Sequence, residues 1–331
     1  MNILFLSPSV PSPLHRTRAL NLLRAFSRAH TVRLVALDPS RDPERTADEL
    51  SRLPVSVRIV PHPFSASVRS CLTALARRQP LELAYCASRA MRAAVAEEIK
   101  AFQPDLLYVK RLRSAQFVPA PAPVPTLLDV TDAMAASYRR AAPYAPLPLR
   151  PVFWREAWAY RHAERQAAKL FREWIVASPE DAETLRRTLP ASVRTHLLPN
   201  VVDTEAFAPQ PGREEPYELF FSGLLDKVAN ISAVCFFVEE VLPRIRACVP
   251  RVRLTVCGLR PTRAVRALGN EPSVAVKGFV PDLRAEIARS AVVIVPLRVG
   301  TGTRNKILQA WAMGKAVVST PVGAEGLQAR H

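Results

Sequence analysis

Short apolar runs alternate with stretches of helical spacing along the whole chain. The runs predict strands at Ile3–Leu6, Val32–Leu37, Val55–Val60, Leu106–Val109, Thr126–Leu128 and Trp174–Ala177. After a gap, further strands are predicted at Glu218–Phe221, Arg253–Cys257, Val274–Val276, Val292–Pro296 and Ala316–Ser319. Several runs, such as Ala291-Val-Val-Ile-Val295, are apolar throughout rather than alternating, as expected for strands covered on both faces. Strands separated by helical patterns imply βαβ units and a mainly parallel sheet. The fold class expected is therefore α/β, with two Rossmann-like doubly wound parallel sheets.

The segment Ala208–Pro216 is rich in Pro, Gly and charge and reads as a linker. It divides the chain into a first domain of residues 1–207, a linker of 208–216 and a second domain of 217–331. Open α/β domains bind ligands at the carboxyl ends of their strands. Two such domains facing each other would hold a donor and an acceptor. Pro119–Pro125 and Pro143–Pro151 read as extended loops. The second leads into Phe153–Arg172, which mixes Trp154, Trp158 and Tyr160 with Arg155, Arg161, Arg165 and Lys169. A basic, aromatic helix of this kind can lie on a membrane surface, or it can pack on the sheet with a solvated polar face, and the second reading is favoured. Ser178-Pro-Glu-Asp181 reads as a helix start, with a Ser cap, Pro in the first turn and acids that suit the dipole.

Length and composition fit two globular domains: 331 residues, 49% apolar. No run approaches the roughly 20 apolar residues of a membrane-spanning helix, and Asn2–Leu6 reads as a strand rather than a signal segment. The five cysteines are scattered without Cys-x-x-Cys spacing, which suggests free thiols in a reducing cytoplasm. The net charge of +17 divides as +12 over residues 1–200 and +5 over the remainder. Such an excess attracts nucleic acid, an anionic membrane surface or phosphate-bearing substrates. Nucleic acid would call for a recognisable motif or basic residues interleaved with stacking aromatics. The chain offers neither, so no nucleic-acid partner is expected. The preponderance of Arg over Lys also fits a simple compositional bias.

The stretch with the most chemistry is Gly300–Gly326, GTGTRNKILQAWAMGKAVVSTPVGAEG. A glycine loop that opens a helix presents backbone N–H groups and the positive end of the helix dipole to an anion. Arg304 and Lys306 add full charges there, so a diphosphate is the natural guest. The six histidines show no metal-ligand spacing, and no Asp-x-Asp pair occurs.

This stretch resembles the donor-sugar motif of GT-B glycosyltransferases of family 4, the glycosyl transferases group 1. The resemblance runs over nearly the whole chain and is strongest from Glu218 to Gly326. Ser222-Gly223 with Asn230 resembles the loop that approaches the donor phosphates. Leu254–Gly258 resembles the strand ending in Gly before the base pocket, and Gly278-Phe-Val-Pro-Asp282 the segment whose backbone faces the base. Leu198-Pro-Asn200 with Asp203 and Phe207 is similar to the family's Pro-Asn-Gly-Val-Asp-x-x-x-Phe, with Val201 where Gly is usual. Upstream, Pro8, Pro11, Arg18 and Asn21-Leu-Leu23 are similar to a subgroup active in bacterial exopolysaccharide assembly, with Leu14 where those relatives have Gly.

The resemblance implies donor-binding roles for Gly223, Gly258, Phe279, Val280, Gly302, Thr303, Arg304, Lys306 and Gln309. On the acceptor side it implies His15 and Arg18. Asp129 and Asp132, at the end of Leu127-Leu-Asp-Val-Thr-Asp132, stand where relatives place a reaction-centre His or Asp; a loop turn or helix cap is the alternative. Gln309 and Thr301 replace the two acids of the family's Glu-x7-Glu signature. A neutral amide accepting from ribose hydroxyls gives about 1 kcal/mol where a carboxylate gives about 1.5–3, so weakened donor binding is expected.

The function implied is a retaining, metal-independent hexosyltransferase. It would move sugar from a nucleotide-sugar to a polysaccharide or lipid-linked acceptor in surface glycan biosynthesis. It would work in the cytoplasm, or at the inner face of the cell membrane in peripheral contact with anionic lipid. No cofactor is expected beyond the donor itself. In the family, a further strand–helix unit and a final helix follow the segment matching Ser319, so the second domain is expected to be incomplete. The alternative that follows is a truncated, catalytically weak relative acting as a binding protein. A sugar-nucleotide epimerase on the same fold is a third reading.

Overall fold

The computed structural model describes residues 1–11, 17–38 and 50–327. The chain divides into two compact units: Met1–Ala136 with Trp154–Pro199, and Ser137–Phe153 with Asn200 onward.

The first unit is built on a parallel sheet in the order β3-β2-β1-β4-β5-β6-β7. Its strands are β1 (Asn2–Ser7), β2 (Thr31–Asp38), β3 (Val55–Pro61), β4 (Leu106–Lys110), β5 (Thr126–Thr131), β6 (Glu173–Val176) and β7 (Arg194–Leu197). The central strands are apolar because helices cover both faces: Ile3, Phe5, Leu34, Ala36 and Tyr108 meet Leu20 and Leu23 of the helix Thr17–Phe26 in one core. Phe5 and Tyr108 stack at 4.8 Å between ring centroids. All six sequence-predicted strands are present. The seventh, β7, is Arg-Thr-His-Leu, largely exposed and at the sheet edge, so it carries no apolar run that would announce it. Ser178 caps the helix Pro179–Thr188, its hydroxyl accepting from the Asp181 N–H at 3.1 Å, as its sequence predicts.

The second unit carries β8 (Glu218–Ser222), β9 (Arg253–Cys257), β10 (Val274–Gly278), β11 (Val292–Val295) and β12 (Ala316–Ser319), in the order β10-β9-β8-β11-β12, all parallel. Phe220, Phe221, Leu254, Val256, Ile294 and Ile307 lie in its core. The order reverses between β8 and β11, so the loops after these two strands flank the switch point where such sheets bind ligands. The expected α/β class with two parallel sheets is what the chain adopts.

Two segments read from sequence as part of the first domain group instead with the second unit, and their contacts give the reason. The Asn200 side-chain amide donates to the Thr303 carbonyl at 3.2 Å, and Phe207 packs on the second core. In the segment 137–153, Arg140 donates to the Gly300 carbonyl at 3.2 Å and pairs with Glu325 at 2.8 Å. The helix Arg150–Leu170 begins three residues before its predicted start at Phe153.

Candidate functional site

In the second unit the loops after β8, β9 and β10 are stitched together through three glycines. The Gly223 N–H donates to the Cys257 carbonyl at 3.1 Å, and the Gly258 N–H to the Gly278 carbonyl at 2.7 Å. Gly258 has φ +152, and a Cβ on it would overlap the Gly223 carbonyl oxygen. A Cβ on Gly223 would come within 2.7 Å of the Asn230 side-chain amide, so glycine there lets Asn230 close over the loop. Asn230 donates to the Leu224 carbonyl at 2.9 Å and accepts from Lys306 Nζ at 3.0 Å. Lys306 also lies over the Phe221 ring, 4.3 Å from its centroid. The glycine loop after β8 and the cation of the helix Asn305–Ala312 thus converge at the switch point.

Burial, together with the neighbouring Arg304 charge, lowers the Lys306 ammonium from its ordinary range to about 7. An anion arriving at Nζ would hold the proton on. Arg304 is placed differently from the sequence expectation of a phosphate-facing charge. It folds back on its own loop, donating to the Thr301 carbonyl, with its guanidinium packed over Gly300. A Cβ on Gly300 would lie 2.5 Å from Nη2, and φ there is +144, so only glycine allows this clamp. Arg140 on the Gly300 carbonyl and Asn200 on the Thr303 carbonyl hold the rest of the loop. Gly302 supplies a second left-handed residue, φ +77. The helix Asn305–Ala312 begins without a side-chain cap, which leaves the first N–H groups of its N-terminus to a ligand. Gln309 lies one turn beyond Lys306, on the same side of the helix. Phe279 is exposed beside the β10 loop, whereas Val280 packs on the core and can offer a ligand its backbone.

In the first unit, Arg18 and Asp129 are brought together, and Asp132 is not with them. The Asp129 carboxylate is wholly buried on β5. Its Oδ2 accepts from Tyr108 Oη at 2.6 Å, Lys110 Nζ at 2.8 Å and Arg18 Nε at 3.1 Å, and its Oδ1 from Thr131 Oγ1 at 3.0 Å. Lys110 also donates to Thr131 Oγ1 at 2.7 Å. Burial alone would raise the Asp129 carboxyl, but Lys110 and Arg18 outweigh it and hold it well below the usual carboxylate range. Burial brings Lys110 down to about 7, with Asp129 opposing that fall. A carboxylate held this way stays ionised and serves as a fixed counter-charge.

Asp132 is partly exposed and pairs with Arg111 at 2.9 Å. Arg111 and Thr131, directly beyond Lys110 and Val130, have φ +66 and +69. Left-handed backbone at a β-branched residue is rare and concentrates where surrounding structure enforces it for function. Sequence reasoning missed Lys110, Tyr108 and Thr131. One signal was present: a lysine closing the apolar run Leu-Leu-Tyr-Val-Lys110, opposite an aspartate closing another. His15 lies outside the described residues. Among the described residues no group of three or more His, Cys, Asp or Glu could hold a metal ion.

No curated protein matches the chain. Among solved structures, HepE of Anabaena, in complex with UDP and glucose, is 16% identical with a TM-score of 0.65, covering 100% of this chain and 83% of its own. Sucrose-phosphate synthase from Thermosynechococcus elongatus is 15% identical with a TM-score of 0.67, covering 98% and 82%. A trehalose-6-phosphate synthase, described for enzymatic glycosyltransfer with retention, is 10% identical with a TM-score of 0.60, covering 97% and 85%. At such identities the likeness is one of fold, and the fold is that of GT-B glycosyltransferases. Residues 216–330, which hold the glycine-stitched loops, Asn230 and Lys306, match the family described as glycosyl transferases group 1.

Proposed function

We propose that the chain is a retaining glycosyltransferase. It binds a nucleoside-diphosphate sugar at the β8–β11 switch point and transfers the sugar to a polysaccharide or lipid-linked acceptor in surface glycan biosynthesis. The observation that carries this reading is the convergence of Gly223, Asn230 and Lys306 beside an uncapped helix start. The family match over the same residues, and the UDP held by the HepE neighbour, support it.

In this reading Lys306 and the N–H groups of the Gly302–Lys306 turn neutralise charge growing on the leaving diphosphate. Arg304 acts on the loop, holding Gly300 and Thr301 where their neighbours' N–H groups face the ligand. Gln309 accepts from ribose hydroxyls, and Phe279 offers a ring to the base. The bond from the sugar's anomeric carbon to the diphosphate breaks to leave an oxocarbenium-like species. The acceptor hydroxyl oxygen bonds to that carbon on the face the diphosphate departs from, and the departing diphosphate oxygen takes the hydroxyl proton. Retention is also the outcome described for the trehalose-6-phosphate synthase of similar fold. Asp129 fixes Arg18 and Lys110 on the acceptor side instead of exchanging protons itself, and the partly exposed Asp132, paired with Arg111, is left to meet the acceptor.

Titration calorimetry against UDP, GDP and ADP tests the donor site. One nucleotide is expected to bind at micromolar strength, with Arg304→Ala weakening it by roughly 1.5–3 kcal/mol as the loop loses its clamp. A folded chain that binds none of the three overturns the reading and favours an inactive relative in which Gln309 no longer holds the ribose.

The same site predicts a pH dependence. The free Lys306 amine loses its proton as pH rises through about 7, whereas the bound diphosphate raises its pKa and retains it. Affinity is therefore full below 7 and falls by close to about tenfold per unit above it. The nucleotide's own terminal phosphate ionises with a pKa of about 6, so it is largely ionised above 7 and adds little slope there. Lys306→Arg, which keeps its charge, should bind with no such slope. A flat wild-type profile between about pH 7 and pH 9 would remove Lys306 from the diphosphate site.

A further inference from the structure

The helix Phe64–Ala76 of the first unit is packed with its small residues inward. Ser67 is buried with its hydroxyl on the Tyr85 carbonyl at 2.9 Å, Ala74 is fully buried, and Cys71 points at the Leu81 carbonyl. The large apolar side chains face outward: Phe64 is 60% exposed, Val68 43%, Leu72 66% and Leu75 56%. These four fall at spacings of four, four and three, so they form one stripe along the helix. A helix that served only the core of this unit would be turned the other way, because each exposed Leu forfeits burial worth roughly 1.5–3 kcal/mol.

The stripe continues onto the helix Arg150–Leu170. Arg155 donates to the Ala74 and Gln79 carbonyls at 2.8 and 2.9 Å, joining the two elements. Trp154 and Trp158 are half exposed, and Arg78 lies 5.2 Å over the Trp158 ring. From Leu50 to Leu81 the chain has five Arg and no Asp or Glu; Arg58, on β3, pairs with Glu97 and Glu98, while Arg69, Arg77 and Arg78 lie on or beside the helix Phe64–Ala76. On the second helix both acids, Glu156 and Glu164, are buried, while Arg161, Arg165 and Lys169 face out. The acids that flank the Leu50–Leu81 span are Glu49, outside the described residues, and Glu82, engaged by Tyr160 at 3.0 Å and Arg113 at 3.7 Å.

We propose that this face, the Phe64–Leu75 stripe with Trp154 and Trp158 and its arginine rim, is a docking surface for an anionic lipid bilayer. Apolar side chains entering the headgroup boundary, tryptophans at its level and cations against its negative surface are the three elements of interfacial binding, and all three lie together here. A second copy of the chain would set the same arginine rim against itself, whereas a bilayer supplies the opposite charge. No helix among the described residues is long and apolar enough to cross a membrane, so the attachment is to its surface. The inference stands on this face alone and does not depend on the transferase reading.

The test is co-sedimentation of the full chain with vesicles of phosphatidylcholine alone and with about one third phosphatidylglycerol, at low and high salt. Binding is expected on the anionic vesicles, weakened by salt. Leu72→Ser with Leu75→Ser should reduce it at least about tenfold through lost apolar insertion, and Arg69→Glu with Arg77→Glu by a similar factor through charge. All four positions are exposed, so both variants should melt like the wild type, and a variant that does not is replaced by Leu72→Gln alone. Equal binding to neutral vesicles, undiminished binding by either variant, or a wild-type dimer that the Leu variant dissociates would overturn the proposal.

Discussion

Gly258→Val is expected to prevent the second unit from folding, or to cost it roughly 4 kcal/mol or more, a loss outside the usual range for single substitutions. A Cβ at this position would overlap the Gly223 carbonyl oxygen and lie 2.9 Å from its carbon and 3.1 Å from Leu225 Cγ. The first two are backbone atoms of the β8 loop, held in place by the Gly223 N–H on the Cys257 carbonyl. Neither can yield without breaking the ladder from which the loop springs. The φ of +152 adds strain of about 1–3 kcal/mol for any side chain. Such a total takes a large part of the 5–15 kcal/mol typical of a whole domain. Gly212, with left-handed φ but nothing within 4 Å of its Cβ position, is the control: Gly212→Ala should cost only about 1 kcal/mol. Guanidinium unfolding of the three proteins reads the difference, and a Gly258→Val chain that unfolds with the wild type would show that the loops are not stitched as described.

Gly258 also illustrates how far the sequence carries. The resemblance places it at the end of the strand before the base pocket, but its necessity comes from a neighbouring loop, a contact between residues far apart in sequence that no single sequence displays. Strands buried on both faces were legible because they are continuous apolar runs; β7, an edge strand of Arg-Thr-His-Leu, was not. Lys306 was legible as a charge beside a glycine loop. That Asn230 accepts a hydrogen bond from Lys306 and that Arg304 folds back on Gly300 depend on side-chain direction, which spacing leaves open. The outward stripe of Phe64–Leu75 was hidden for the opposite reason. Its periodicity is that of an ordinary core-facing helix, and only the packing shows which side is turned to solvent.

The buried cluster around Asp129 leads to the second large effect. Asp129→Asn is expected to destabilise the first unit by roughly 3–5 kcal/mol, because it leaves Lys110 and Arg18 desolvated without their counter-charge. The amide is nearly isosteric, so no cavity contributes. It also turns one acceptor into a donor among the donors Tyr108, Lys110, Arg18 and Thr131.

The pH dependence of the deficit identifies its source. Lys110 titrates near 7 in the wild type, and without Asp129 it gives up its proton at lower pH still. While Lys110 is charged in both folded proteins, the variant bears the full cost of the unpaired cation. As pH rises towards 7 the variant's lysine becomes neutral first and the deficit shrinks. Above 7 Lys110 is neutral in both folded proteins and charged in both unfolded chains, so the deficit levels off at the part due to Arg18. Urea unfolding at intervals from about pH 5 to about pH 9 follows this course.

Adding Lys110→Met to Asp129→Asn removes the stranded cation. The double variant should therefore be more stable than the two single losses predict when added, by roughly 1–3 kcal/mol at the acid end. Simple additivity, or a deficit that does not change with pH, would mean that Asp129 and Lys110 do not stabilise one another. The position of Arg18 would then rest on its own bonds to the Asp129 carboxylate and the Pro199 carbonyl, 3.1 Å each.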